Sequence, residues 1–353
     1  FLDSNLIFSV YNKMINSIYT KKLNKVFVDL DNAIDNAYIP SAVLGFIDIN
    51  KNKIIKSKGF RQIIPSKKLV NNKTTFDLAS LTKVIFTTHQ ILKLHSRNKI
   101  DLNAPIEEYL PDLSQYDYSS WERKVTVKEC LSHSSPFPAV EPIYTRGNDP
   151  QTLKAYILQN RWKKNSPVYS DINFMLLGFI LERMMKKNIT NILSGYNFNF
   201  KPKGNNIAAT EMCHWRNKIL LGQTHDENSF ALKGAGHAGI FGKADDLLIF
   251  AHDMLTSKNI TAKHQQLIQT KIFKNRTYGW EIAHKNWSGG NQCSKKTIGH
   301  TGFTGTGLWI DFQNKYAWTL LTNRVHPSRH KESQINSLRI KVGNKINQEF
   351  GKK

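Results

Sequence analysis

Apolar residues recur at helical spacing through residues 5–37, where Leu23, Val26, Phe27 and Leu30 fall on one stripe of an amphipathic helix. Next, "SAVLGFIDINKNKIIKSKGF" (41–60) sets two apolar runs around Asn50-Lys51-Asn52, which predicts a β-hairpin. "TTFDLAS" leads into a second helix, with Val84, Ile91 and Leu94 at helical intervals. Prolines punctuate 103–113 into turns. Residues 125–200 are mostly helical in pattern; "INFMLLGFILERMMKK" (172–187) is apolar almost all round and reads as a buried helix. "KADDLLIFAHDMLTS" (243–257) predicts another. The pattern then turns to strands at 278–284, 296–302, 305–312 and 316–324, with a hairpin turn at 311–314, and a helix over 333–350 closes the chain. Strands at both ends with helices between them predict an α/β (α+β) fold, one sheet completed by distant segments with a helical region inserted.

The chain has 353 residues, 40% of them hydrophobic, and its 7 Trp, 12 Tyr and 19 Phe supply a large core. That excludes a wholly disordered chain, a collagen-like repeat and a small scaffold that needs stapling. Length alone allows about two ordinary domains. The net charge is +23, and lysine supplies 39 of the 50 basic residues. A nucleic-acid binder gathers such charge into stripes. Here the densest runs are pairs such as Lys163-Lys164, Lys186-Lys187 and Lys295-Lys296, so the excess reads as a solvated basic surface. Attraction to an anionic envelope polymer is the alternative, and nucleic acid comes last. Cys130, Cys213 and Cys293 lie far apart, which permits at most one disulfide and no cysteine-built zinc site. No apolar run is long enough for a spanning helix. The first residue is Phe1 rather than Met, which is expected of a chain that has lost a signal peptide or been trimmed.

Chemistry starts at "ASLTKV" (79–84). The pattern S-x-x-K occurs three times, at Ser80 with Lys83, Ser96 with Lys99 and Ser328 with Lys331. Only Ser80 opens a strongly periodic helix after an apolar lead-in. The i, i+3 spacing sets the Lys amine beside the Ser hydroxyl. The helix N-terminus adds free N–H groups where an oxyanion forms. The plainer reading makes Ser80 a helix cap.

Two further pieces accompany it. "PVYSDINFMLLG" (167–178) places Tyr169, Ser170 and Asp171 before the buried helix, and "IGHTGFTGTG" (298–307) places His300, Thr301 and Gly302 on a strand that ends in glycines. "CLSHSSPFP" (130–138), "GQTHDENSFAL" (222–232), "GAGHAGIFGKADDL" (234–247) and "LLTNRVHP" (320–327) complete the set. In this order the pieces resemble the penicillin-binding protein and serine β-lactamase family over nearly the whole chain. The likeness is greatest to class C β-lactamases, their esterase relatives and low-molecular-weight D-alanyl-D-alanine carboxypeptidases.

The resemblance implies a DD-peptidase/β-lactamase-like fold, an antiparallel sheet flanked by helices. Residues 1–84 and 241–353 would form the sheet-plus-helix part, and 85–240 an inserted, mainly helical subdomain. Ser80 would be the nucleophile at their junction, Lys83 its activating neighbour and Tyr169 the proton shuttle. The N–H groups of Ser80 and Phe303 would form the oxyanion hole. Asp171, His237, His300, Thr301, Gly302 and Phe303 would surround the substrate. A peptide or small molecule of peptidoglycan, β-lactam or ester type is the implied substrate, with no cofactor and no metal, in a periplasmic or secreted protein; the cytoplasm is the alternative. The function expected is a serine acyl hydrolase; a β-lactamase proper and a non-catalytic receptor for a wall fragment are the alternatives.

Holding Lys83 neutral at pH 7 needs about 3 pKa units, or about 4 kcal/mol, from burial. Keeping it charged, to draw down the Tyr169 hydroxyl, is the other route, and the two groups form one coupled unit. Many relatives carry Asn where this chain has Asp171, and Lys where it has His300. A carboxylate at 171 would keep Lys83 protonated and favour the Tyr169 route. A neutral His300 would weaken the hold on a substrate carboxylate, unless Arg324 supplies the cation. "GAGHAG" (234–239) matches a dinucleotide fingerprint in letters, but no strand directly precedes it and no helix directly follows, so it reads as a loop bordering the cleft.

Overall fold

The computed structural model describes residues 4–351, with side chains from Met14 onward. The lead-in forms α1 (Ser4–Asp35), followed by β1 (Ser41–Asp48), β2 (Lys53–Gln62), β3 (Lys68–Leu69) and β4 (Phe76–Asp77). A π-helical stretch, Lys83–Thr88, runs into α2 (His89–His95). Then come α3 (Trp121–Lys124), α4 (Val127–Leu131), α5 (Pro150–Gln159) and α6 (Asp171–Met185). A small hairpin, β5 (Met212–Cys213) and β6 (Lys218–Ile219), precedes α7 (Glu227–Ala231), β7 (Phe241–Gly242), α8 (Ala244–Thr256) and α9 (Ala262–Gln269). The chain ends through β8 (Glu281–Ile282), β9 (Thr297–Thr301), β10 (Gly307–Asp311), β11 (Tyr316–Thr322) and α10 (Ile335–Phe350).

One seven-stranded sheet runs β3-β2-β1-β11-β10-β9-β8, and every neighbouring pair is antiparallel. The β1–β11 ladder, with Val43 opposite Leu321 and Gly45 opposite Thr319, joins the two ends of the chain. Because side chains alternate across a strand, β1 splits its residues between two cores. Ala42, Leu44 and Phe46 face α1 (Val26, Phe27, Leu30) and α10 (Leu338, Val342, Ile346). Val43 and Ile47 join the core that contains α8 (Leu247, Leu248) and α6. Covering both faces explains why β1 is apolar at nearly every position and buried along most of its length. This bears out the expected antiparallel sheet flanked by helices.

The structure departs from the strand pattern at 278–284, where only Glu281–Ile282 pairs. Gly279 takes φ +83°, and an added Cβ there would lie 2.1 Å from Thr88 Oγ1, so a turn packed on the π-helical stretch replaces the first half of the strand. Trp280, Trp287 and Trp309 are all buried, as packing residues would be. Trp309 stacks on Trp318 with ring centroids 5.6 Å apart. Gly299 lies opposite it in the ladder, where an added Cβ would come 2.3 Å from Trp309 Cδ1. A methyl there has no room beside a ring already held in a stack. Gly299→Ala should therefore lower stability by about 1–3 kcal/mol, read as a lower urea midpoint than wild type; an unchanged midpoint would show that Trp309 moves aside freely.

Candidate active site

Ser80 sits on a sharp turn. Its predecessor Ala79 takes φ +47°, in the left-handed region that a non-glycine residue adopts only when its surroundings hold it there. Those surroundings are specific. The buried Asp77 carboxylate accepts from the Ala79 N–H at 2.8 Å and from the His225 N–H at 2.6 Å. From the loop after β9, Thr304 Oγ1 donates to Asp77 O at 2.7 Å, and Thr306 Oγ1 to Leu78 O at 3.1 Å. Gly302 passes so close that an added Cβ would sit 2.5 Å from Leu78 O. The end of β9 and the Ser80 turn are thus stitched together. Among the described residues no carbonyl accepts from the N–H of Ser80 or of Phe303.

Lys83 is fully buried at the start of the π-helical stretch. Its Nζ lies 3.0 Å from Ser80 Oγ, donates to His237 O at 3.0 Å, and pairs with Asp171 Oδ1 at 2.8 Å. The carbonyl only accepts, so one N–H is committed to it, Asp171 makes an ion pair, and the contact to Ser80 fits either an ammonium or an amine. Electrostatics decides. Burial opposes the charge, but Asp171 and then Tyr169 outweigh it and hold Lys83 above its ordinary range. The resting lysine is an ammonium. Asp171 opens α6, where the helix dipole favours a carboxylate.

Tyr169 lies between two imidazoles, with ring centroids 4.3 Å from His133 and 5.8 Å from His300. Two cations face its ring, Lys83 Nζ at 5.0 Å and the Arg276 guanidinium at 5.2 Å. His133 accepts from the Ser170 N–H through Nδ1 at 3.0 Å, so its Nε2 carries the proton. His300 is buried and its Nδ1 donates to Thr301 O at 2.9 Å, which leaves Nε2 as a bare acceptor. Burial first, then Arg276 and Lys83, pushes both imidazoles well below the usual histidine range. Arg324 is spent on Phe303, with Nε donating to its carbonyl at 2.8 Å and the guanidinium 4.5 Å over its ring.

The structure therefore brings Ser80, Lys83, Tyr169, Asp171, His237 and His300 together, with Thr301, Gly302 and Phe303 at the end of β9 beside them. Ser96 and Ser328 stay apart, Ser96 capping the end of α2 by donating to Lys93 O at 2.9 Å. The glycine-rich 234–239 loop packs behind Lys83; an added Cβ on Gly236 would lie 2.2 Å from Phe174 O on α6. Sequence reading missed Asp77, Asp226, Arg276, Thr304 and Thr306. The threonines lie inside "HTGFTGTG", and that run of hydroxyls was the one signal for them. Asp171, Asp226 and His237 each bring one donor atom within 4.8 Å of the other two. The Lys83 ammonium already supplies their counter-charge, and we assign no metal there.

The beta-lactamase family model matches residues 30–339. An N-acetylmuramyl-L-alanine amidase of Bacillus subtilis (strain 168) is 29% identical over 82% of this chain and 78% of its own length. A candidate D-alanyl-D-alanine carboxypeptidase of Salmonella agona (strain SL483) is 30% identical over 84% of this chain and 81% of its own. A class C beta lactamase from Rhodobacter sphaeroides superposes with a TM-score of 0.68 at 15% identity, covering 92% of this chain and 99% of that one, a likeness of fold. No helix among the described residues is long and apolar enough to cross a membrane.

The neutral histidines have a consequence for stability. His133 and His300 stay unprotonated in the fold, as does His264, which burial lowers to about 4. The unfolded chain takes up protons at these positions below about pH 6.5, so it binds more protons than the native state, and stability falls as pH drops through that value. The urea midpoint should be lower at pH 5 than at pH 7; a flat midpoint over that interval would contradict the neutral assignments.

Proposed function

The chain belongs to the beta-lactamase family, and from that premise we propose that it is a serine acyl hydrolase that carries its acyl group on Ser80. The substrates are D-Ala-D-Ala-type peptides or related amides and esters. The observation that carries this reading is the contact of Ser80 Oγ, at 3.0 Å, with a fully buried lysine that is itself paired to a carboxylate. A serine that only capped a helix would need no such partner.

The steps follow from the charges. Ser80 Oγ attacks the substrate carbonyl, and its proton passes to the Tyr169 oxygen, which acts as a phenolate whose negative charge faces the Lys83 ammonium and is neutralised as the proton arrives. The N–H groups of Ser80 and Phe303 take the oxyanion. Tyr169 then returns the proton to the leaving nitrogen or oxygen, which departs and leaves the acyl-enzyme. In deacylation water attacks and gives its proton to Tyr169, and Ser80 leaves with a proton restored. Lys83 stays charged throughout. Residues 85–240 act as a mainly helical subdomain over one side of the cleft, and the basic surface suits a periplasmic or secreted protein near anionic wall polymers.

Incubation with an active acyl donor, a penicillin-type probe or an aryl ester, should give one adduct by intact mass, mapped to the peptide that contains Ser80 and absent from Ser80→Ala. An adduct on Ser96 or Ser328 would sink the assignment.

Substrate choice turns on His300. A neutral imidazole with a bare Nε2 offers no charge-assisted bond to a carboxylate, where a lysine would. Uncharged aryl esters should be turned over better than a cephalosporin. His300→Lys should move the ratio of kcat/KM toward the cephalosporin by about 1–2 kcal/mol, roughly tenfold. Fast cephalosporin turnover by wild type, with no change in the variant, would remove His300 from the control of substrate class.

A further inference from the structure

Two loops that stood out in the sequence have no part in the steps above, and they meet behind the lysine. His237, from "GAGHAG", is buried, and its Nε2 lies 2.8 Å from Asp226 Oδ1 of "THDEN". Burial opposes the charge on Asp226, but the His237 ring, the Ser229 N–H and Lys83 together hold its carboxylate below the ordinary range. It is ionised, and Nε2 of His237 is the donor. The same carboxylate caps α7, accepting from Ser229 N–H at 2.7 Å. At its other end, His237 offers its backbone carbonyl to Lys83 at 3.0 Å. Ring and carbonyl of one residue thus connect a helix cap to the active-site amine.

The loop is tied on both sides of residue 237, and the His237 side chain adds a tie between them. Glycines flank His237 at 236 and 239, and Gly239 takes φ +115°. The neighbouring carbonyls are tied by Thr87 Oγ1 to Gly236 O at 2.6 Å and by Ser229 Oγ to Ala238 O at 2.8 Å. Between those two ties, the ring of His237 holds its own residue to Asp226. Asp226 also brings a second carboxylate to the place where Asp171 already stands, their oxygens within 4.8 Å of each other. The other charged groups that face this pair are Lys83, Asp77 beneath Asp226, and Arg216.

We propose that Asp226 and His237 form a positioning pair for Lys83. The imidazole braces the carbonyl that takes one of the lysine's N–H bonds, and Asp226 adds a second negative charge beside the ammonium. The inference rests on the reading that Ser80 and Lys83 carry the chemistry. By linkage, a lysine that favours the ionised Asp226 is itself kept charged by it.

Turnover of an uncharged aryl ester, followed across pH in wild type, Ser80→Ala, His237→Ala, His237→Gln and Asp226→Asn, tests it. His237→Ala should lose up to about a hundredfold in kcat, with KM little changed. His237→Gln, whose amide N–H reaches Asp226, should recover most of that loss. In Asp226→Asn the alkaline limb of the kcat profile should move to lower pH, because the amine gives up its proton sooner. A folded His237→Ala with wild-type kcat, or an Asp226→Asn profile identical to wild type, overturns the pair, and so does a His237→Gln as slow as His237→Ala. Were His237→Ala unable to fold, the Asp226→Asn profile would decide the question, an unshifted alkaline limb overturning the pair. Turnover that survives Ser80→Ala overturns the Ser80 reading and this inference with it. Turnover abolished by Ser80→Ala yet indifferent to the pair overturns the inference alone.

Discussion

A buried ammonium organises this molecule. Removing a charge from water costs several kcal/mol unless partners replace the lost hydration, and Lys83 is fully buried. Its partners come from three places: the turn at Ser80, the first residue of α6, and the carbonyl of His237, which lies 154 residues away in sequence. None of these segments can be absent or displaced without leaving the charge unsatisfied. Lys83 opens the π-helical stretch Lys83–Thr88, all of it buried.

The sheet enters through the threonines. Thr304 and Thr306 bind the carbonyls of Asp77 and Leu78, so the end of β9 fixes the turn that presents Ser80. β9 is fixed in turn by β10 and β11, and β11 by β1 from the other end of the chain. The cores on both faces of the sheet therefore support the position of a single hydroxyl.

Charge around Tyr169 is distributed unevenly. The cations at its ring are Lys83 and Arg276, while the strand position on β9 holds a neutral His300. Arg324, which the sequence offers as a replacement cation, is committed to the Phe303 carbonyl and ring. The positive field thus lies at the tyrosine side of the cleft rather than on β9. The overall charge of +23 has no bearing on that local arrangement, which depends on distances of a few ångströms.

By itself the sequence indicated most of the elements, the sheet shared by the two chain ends in outline, and, through the motifs that carry the family resemblance, the grouping of Ser80, Lys83 and Tyr169. Each of these is written in local periodicity or in a short motif, and local rules act over a few residues. It also made Asp171 a partner for Lys83, since opposite charges near one site leave little choice. Tertiary structure alone decided the rest. That Lys83 is charged, that His300 is neutral with Nδ1 as donor, and that Asp226 meets His237 all depend on burial and on contacts between segments distant in the chain. The strand pattern at 278–284 gave way to a turn for the same reason, because Thr88 and Gly279 meet only in the folded protein. Protonation states and close packing are properties of an environment, and spacing along a chain does not encode an environment until the chain has folded around it.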